Sequence, residues 1–280
     1  MASGRTSLSG ADTAVNVAGL AFNRLSEDQV VEWIVRALKH GQGGWVVPAN
    51  IDVCQQISRD RAARELVRGA SLVVADGMPL VWAARLRGDP LPERVTGSFL
   101  IFRLTAAAAQ NGKSIYLLGG KPGVPERAAA ELTRRYPGLL VAGTDAPPVG
   151  FDHQPDELAA VRARLEEARP DIVYVGLGFP KQERVIAALA PGLPTAWFIS
   201  CGAAIPFAAG ELRRAPHWMQ RLGLEWLYRL ISEPRRLFRR YVLADLPFAL
   251  RLLITSALTR LRPGRNRHSR PRPAAGDHQD

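Results

Sequence analysis

Short, wholly apolar runs alternate along this chain with longer stretches whose apolar residues recur every three to four positions. Trp45–Val47, Leu72–Ala75, Ile115–Leu118, Leu139–Ala142, Ile172–Val175 and Ala196–Ser200 are runs of the first kind. They read as strands buried on both faces. Between them, Met78–Arg87, Phe99–Gln110, Pro125–Tyr136, Asp156–Ala168 and Gln182–Leu189 carry helical spacing. Ahead of the first strand, Ser26 and Gln29 form a capping-box pattern that opens a helix through Lys39, with Val30, Val31, Ile34 and Leu38 on one side. Strand–helix alternation of this kind predicts an α/β fold, a Rossmann-like parallel sheet with helices on both faces. In such sheets ligands gather at the carboxyl ends of the strands.

That rule selects the positions that follow each strand. Asn50 and Asp52 follow the first, Asp76 and Gly77 the second, and Gly119 and Gly120 the third. The loop Gly178–Glu183 and the pair Cys201–Gly202 follow the last two. Gly119, Gly120 and Gly123 lead into a helix, whose free N–H groups and dipole favour an anion; a plain glycine turn is the alternative. Asp76 has two readings: a carboxylate placed for proton abstraction, or an N-cap for the helix behind it. Cys54 and Cys201 lie in apolar surroundings and read as small buried hydrophobes.

Charge changes the picture at one end. The chain of 280 residues has a formal net charge of +11. From Glu211 onward there are 15 Arg, no Lys and 6 acidic residues, so +9 belongs to this last quarter. Such asymmetry points to an acidic partner, membrane lipid or nucleic acid. The arginines flank long aliphatic stretches. Tyr241–Leu261 is nearly long enough to span a bilayer but contains Asp245, Pro247 and Arg251, which favours a helix lying in the membrane interface. Four units follow: a disordered leader 1–13, an α/β catalytic domain 14–210, a basic helical appendage 211–262 that associates with an anionic membrane surface, and a disordered tail 263–280. Pro234 divides the early appendage into two helices. The N-terminus lacks the apolar core of a signal peptide, so a cytoplasmic protein, peripheral on the inner face of the plasma membrane, is expected.

Four linked motifs give the pattern a family. G-x-P-K-Q-E at Gly178–Glu183 is followed by A-G-x-x-x-R-A-P ending at Pro216. E-W-L-Y-R-L at Glu225–Leu230 and E-P-x-R-x-x-R-R-Y ending at Tyr241 come next. In this order they closely resemble the WecG/TagA/CpsF family of bacterial glycosyltransferases, over about residues 14–242. The resemblance implies an inverting, metal-independent hexosyltransferase. It would move an N-acetylhexosamine or related sugar from a UDP donor to a polyprenyl-diphosphate-linked saccharide in teichoic acid, capsule or exopolysaccharide synthesis. It implies Asp76 as catalytic base beside Asn50. Arg94 would contact the donor diphosphate, and Gly119, Gly120, Gly178, Gln182 and Gly202 would line the donor site. Arg214, Arg229, Arg235, Arg236, Arg239 and Arg240 would meet the acceptor or the membrane. No cofactor and no nucleic-acid partner are expected, and a homo-oligomer is compatible with the pattern. The chain has no D-x-D motif, which leaves arginines and helix N-termini to stabilise the leaving diphosphate. It also lacks a G-x-G-x-x-G with a following ribose-binding acid, which argues against a dinucleotide-dependent oxidoreductase. One departure is visible: where the family has T-x-N, this chain has Pro48-Ala49-Asn50. A nucleic-acid-binding α/β protein using the basic tail is the alternative function.

Overall fold

The structure, a computed structural model, describes residues 14–212, 215–216, 219, 225–232 and 234–261. A hairpin comes first, β1 (Ala14–Val17) and β2 (Leu20–Asn23), antiparallel and joined by Ala18-Gly19, both at positive φ. Six strands then form one sheet: β3 (Gly44–Ala49), β4 (Leu72–Ala75), β5 (Ser114–Gly119), β6 (Leu140–Asp145), β7 (Ile172–Gly176) and β8 (Trp197–Ser200). Their order is β4-β3-β8-β7-β5-β6 and every pairing is parallel. The α/β parallel sheet read from the pattern is therefore present, each predicted strand overlapping an observed one. The hairpin was not foreseen. Asn23 accepts a hydrogen bond from Val73 N–H at 2.8 Å, so the hairpin covers an edge of β4 that would otherwise be open.

Side chains alternate between two cores, as the strand period of two requires. On β7, Val173 and Val175 enter one core while Ile172 and Tyr174 enter the other. The first core is closed by α2 (Ile51–Arg59), α3 (Arg61–Arg68), α4 (Met78–Leu86), α7 (Pro155–Ala168) and α8 (Lys181–Leu189). The second is closed by α1 (Glu27–Lys39), α5 (Gly97–Gln110), α6 (Val124–Arg135) and α9 (Ala204–Ala208). The capping box at Ser26 is formed in both directions, at 2.8 and 3.2 Å. Cys54 and Cys201 are buried and free, and burial pushes the Cys54 thiol up to about 12. Both behave as the small hydrophobes expected.

The basic region folds back on this body. It comprises α10 (Glu225–Ser232), α11 (Pro234–Phe238), a π-helical turn Arg239–Asp245 and α12 (Leu246–Leu261). Glu225–Ser232 and Pro234–Phe238 are both helical, and residue 233, where the predicted break would fall, lies outside the described residues. Arg239–Arg260 is 22 residues long with mean hydropathy 1.5, long and apolar enough to cross a bilayer. In the fold it lies along α4 and α2, with Ala249, Leu252 and Ser256 turned inward and buried. The opposite side carries Leu243, Leu246, Leu250, Ile254 and Leu258, all exposed. At about 1.5 Å per residue this stripe is roughly 22 Å long.

Candidate functional site

Five of the six strands end in the polar or glycine-rich continuations picked out from sequence, and those five are contiguous neighbours in the sheet: β4, β3, β8, β7 and β5. At β3, the side-chain oxygen of Asn50 accepts from Val53 N–H at 3.0 Å and caps α2. Its amide nitrogen is a separate donor. Pro48, where the family has threonine, sits in β3 beyond Val46, the last β3 residue laddered to β8, so its missing N–H leaves that ladder intact.

At β4, Asp76 N–H donates to Ala49 O at 2.8 Å, which ties the two strand ends together. Helix α4 begins only after Gly77, so the N-cap position is Gly77 and not Asp76. Gly77 has φ +152°, a conformation that side-chain-bearing residues rarely adopt, and this turns the chain sharply behind the half-buried Asp76. Val95 N–H donates to Ala75 O at 2.8 Å, which brings Arg94 alongside the same strand end. Thr96 then caps α5 through Phe99 N–H at 3.2 Å.

The central strand ends abut backbone to backbone. A Cβ on Gly119 would meet Gly176 O at 2.7 Å, and one on Gly176 would meet Gly202 O at 2.8 Å. Only glycine permits these approaches. Beyond β7 a cis peptide joins Phe179 to Pro180, and Gln182 stands one residue inside α8. Its Oε1 accepts from Gly178 N–H and from Gly202 N–H, both at 3.2 Å, and its Nε2 donates to Glu183 Oε1 at 3.0 Å. Lys181 and Glu183 flank Gln182 at the start of α8, and neither is a plain solvated residue. Glu183 is fully buried, and Lys181 pairs with Asp152 at 3.1 Å over the Phe151 ring. Asp152 belongs to the turn Phe151–His153 that follows β6, and it is this turn that holds Lys181. The K-Q-E motif alone gives no sign of the Lys181 pair, because Asp152 comes from another element.

The appendage reaches the cleft at two points, through partners that the sequence does not show. Glu225 lies 3.5 Å from Arg94, with both side chains mostly buried. Arg240 lies 2.8 Å from Asp52 and 3.9 Å from Asp245, while Gln55 donates to Ala244 O at 2.8 Å. Of the six arginines singled out here, Arg240 is thus brought to the rim of the β3 end. Arg235 and Arg239 are exposed; Arg214, and the side chains of Arg229 and Arg236, lie outside the described residues.

Carboxylates crowd this rim. Burial first, and then Glu93 and Asp76, push Glu27 up to about 7, against the Thr96 amide and Arg94. Burial, followed by Asp52, pushes Asp245 up to about 6, against Arg240. The arrangement offers a half-buried carboxylate at Asp76, a guanidinium at Arg94 paired with Glu225, and a row of strand-end amides and glycines.

Comparison with known proteins bears on the same residues. The family described as Glycosyl transferase WecG/TagA/CpsF matches residues 15–262. An N-acetylglucosaminyldiphosphoundecaprenol N-acetyl-beta-D-mannosaminyltransferase of Staphylococcus aureus (strain MRSA252) is 31% identical over 227 residues, 80% of this chain and 87% of the relative. A protein of the same name from Bacillus subtilis (strain 168) is 30% identical over 194 residues, 69% of this chain and 73% of the relative.

Proposed function

The chain belongs to the WecG/TagA/CpsF glycosyl transferase family, and on that premise we propose that it transfers an N-acetylhexosamine from a UDP donor to a polyprenyl-diphosphate-linked saccharide. The relatives' names supply the class of acceptor and sugar. The observation that carries the reading is the convergence of Asp76, Arg94 and Asn50 at adjoining strand ends, tied by the two 2.8 Å backbone bonds through Ala49 and Ala75.

In this reading the acceptor hydroxyl oxygen bonds to the anomeric carbon of the donor as the bond from that carbon to the diphosphate breaks. Configuration inverts, UDP leaves, and the hydroxyl proton passes to the Asp76 carboxylate. Arg94 exchanges Glu225 for the diphosphate, whose planar pairs of oxygens suit its fork of donors. The amides behind Gly119 and Gly120, at the start of α6, take the remaining negative charge. The Asn50 amide nitrogen donates to a sugar or phosphate oxygen. A lipid-linked acceptor places the reaction at a membrane, and the appendage supports that setting. Its exposed Leu243–Leu258 stripe is accompanied by the exposed Arg235, Arg239, Arg251 and Arg260. Apolar area and basic charge together are what stable surface anchoring needs. The enzyme then works peripherally from the cytoplasmic side.

The test is a panel of UDP-sugars offered with a short-chain lipid diphosphate bearing N-acetylglucosamine, reading UDP release and product mass. One UDP-N-acetylhexosamine should be used in strong preference. Release of no UDP from any donor, with the protein folded, refutes the proposal.

A further inference from the structure

Glu183 is costly where it stands. It is fully buried, its Oε2 has no hydrogen-bond partner within normal geometry among the described residues, and burial pushes its carboxyl up to about 7 against hydrogen bonds from Gln182 and, more weakly, Ser200. A buried, half-satisfied carboxyl is worse for stability than a well-packed apolar side chain of similar volume. Its Oε1 accepts a hydrogen bond from Gln182 Nε2 at 3.0 Å, and the Ser200 hydroxyl stands close enough to help hold the charged form.

That bond holds the Gln182 amide from one end while two loop N–H groups hold it from the other. Gly178 N–H and Gly202 N–H both point at one end of the amide, 3.2 Å away. Two donors require an oxygen there. Turned by 180°, the amide would set its NH2 group against two N–H groups and leave both loops without an acceptor. Glu183, an acceptor on the other end, forbids the turned orientation. Gln182 is itself buried, so no water substitutes readily. The loops held in this way leave the adjoining ends of β7 and β8, and residue 178 and residue 202 are both glycines at positive φ, with little conformational restraint of their own.

We infer that Glu183 is a positioning residue: it fixes the Gln182 amide, and through it clamps the Gly178 and Gly202 loops as the floor of the cleft. This deepens the proposed transferase reading and rests on it for the effect on turnover, but not for the clamp itself. The chain keeps an unfavourable buried carboxyl for the sake of loop geometry, a trade of stability for function.

Three full-length variants test it. Glu183→Leu removes the acceptor and the charge, Glu183→Gln keeps an acceptor oxygen, and Gln182→Met removes the clamp while leaving Glu183. Amide hydrogen exchange at Gly178 and Gly202 is read by NMR with no ligand present. Glu183→Leu should melt no lower than the parent protein, yet exchange both amides faster by about 10-fold, the loss of one net hydrogen bond at each. In the UDP-release assay it should lower kcat by a similar factor. Glu183→Gln should stay near the parent in both. Gln182→Met should loosen the same two amides, and adding Glu183→Leu to it should change them no further, since the two residues act as one unit. Unchanged amides in Glu183→Leu, a Glu183→Gln as loose as Glu183→Leu, or additive effects in the double variant would each overturn the inference. Should Glu183→Leu not fold, the Gln182→Met and Glu183→Gln pair decides it in the same way. A parent protein that transfers no sugar would defeat the transferase reading alone, because the exchange measurement stands without it.

Discussion

Asn50 has two ends, and the structure lets them be tested apart. Its Oδ1 accepts from Val53 N–H at 3.0 Å and caps α2, while its amide nitrogen is the group assigned to substrate. Asn50→Ala removes both. Loss of a side-chain cap costs about 1 kcal/mol, which in a domain of this size lowers the melting temperature by roughly 2–4 °C. Asn50→Asp keeps the capping oxygen, since aspartate caps as well as asparagine. The new carboxylate joins Asp52 and Asp76 at adjoining strand ends, but the N-terminus of α2 favours a negative charge there, so stability should change little. It no longer donates, however, and a lost hydrogen bond to a charged group is worth about 1.5–3 kcal/mol, or roughly 10- to 100-fold in turnover. Thermal melts and UDP release together read the outcome. Asn50→Asp should keep its melting temperature and lose activity; Asn50→Ala should lose both. An Asn50→Asp enzyme as active as the parent would confine Asn50 to its cap.

Three further outcomes follow from particular contacts. Asp76→Asn should bind UDP-sugar nearly as before and turn over roughly 100-fold or more slowly, the effect of a lost general base; a change within a few fold would remove Asp76 from that role. Leu250→Glu with Ile254→Glu alters only exposed side chains and should leave the melt unchanged, while weakening flotation with anionic liposomes on the order of 100-fold, given about 1.5 kcal/mol or more for each leucine-sized group buried in the interface; equal flotation would refute the membrane face. Glu27 and Glu183 both have folded values raised to about 7 from 4.5, so the stability they contribute is full below pH 4.5 and is lost as pH rises to 7. Replacing both with Gln should flatten that decline in denaturant unfolding across pH 4.5–7, and an unchanged slope would show that other groups set it.

How legible the fold was depended on whether the determinant was local. Strand and helix periods are local, and the six apolar runs became the six strands of one sheet. The capping box at Ser26 is local too, and formed as read. The hairpin escaped because its strands have four residues each and its turn is Ala18-Gly19, with an alanine at φ +52° where asparagine or aspartate would have signalled the turn. Helices α2 and α3 went unread because Asp60 splits Ile51–Arg68 into pieces of 9 and 8 residues, too short for a period to stand out. The signal was there in Asp60 itself, whose carboxylate caps α3 through Ala62 and Ala63 N–H.

The site divides along the same line. Which strands end in polar groups can be read from sequence, and the parallel topology makes those ends neighbours without further information. What each group does once there depends on residues remote in the chain. Arg94 meets Glu225, Asp52 meets Arg240, and Gln55 meets Ala244 across the full depth of the sequence. The π-helical turn Arg239–Asp245 shows why such contacts stay hidden. Its sequence, two arginines followed by Tyr-Val-Leu-Ala and Asp245, predicts ordinary helix. The contacts from α2 to Ala244 and Arg240 accompany a widened turn, and such turns are frequent at functional sites. The same segment therefore faces two ways: polar groups turned toward the end of β3, and Leu243 beginning the apolar stripe on the outside. The proposed reaction brings a water-soluble nucleotide and a lipid-anchored acceptor to one cleft, and this single element carries a face suited to each. A membrane pressed against the stripe would bear directly on Arg240 and Asp52, two residues from the Asn50 cap.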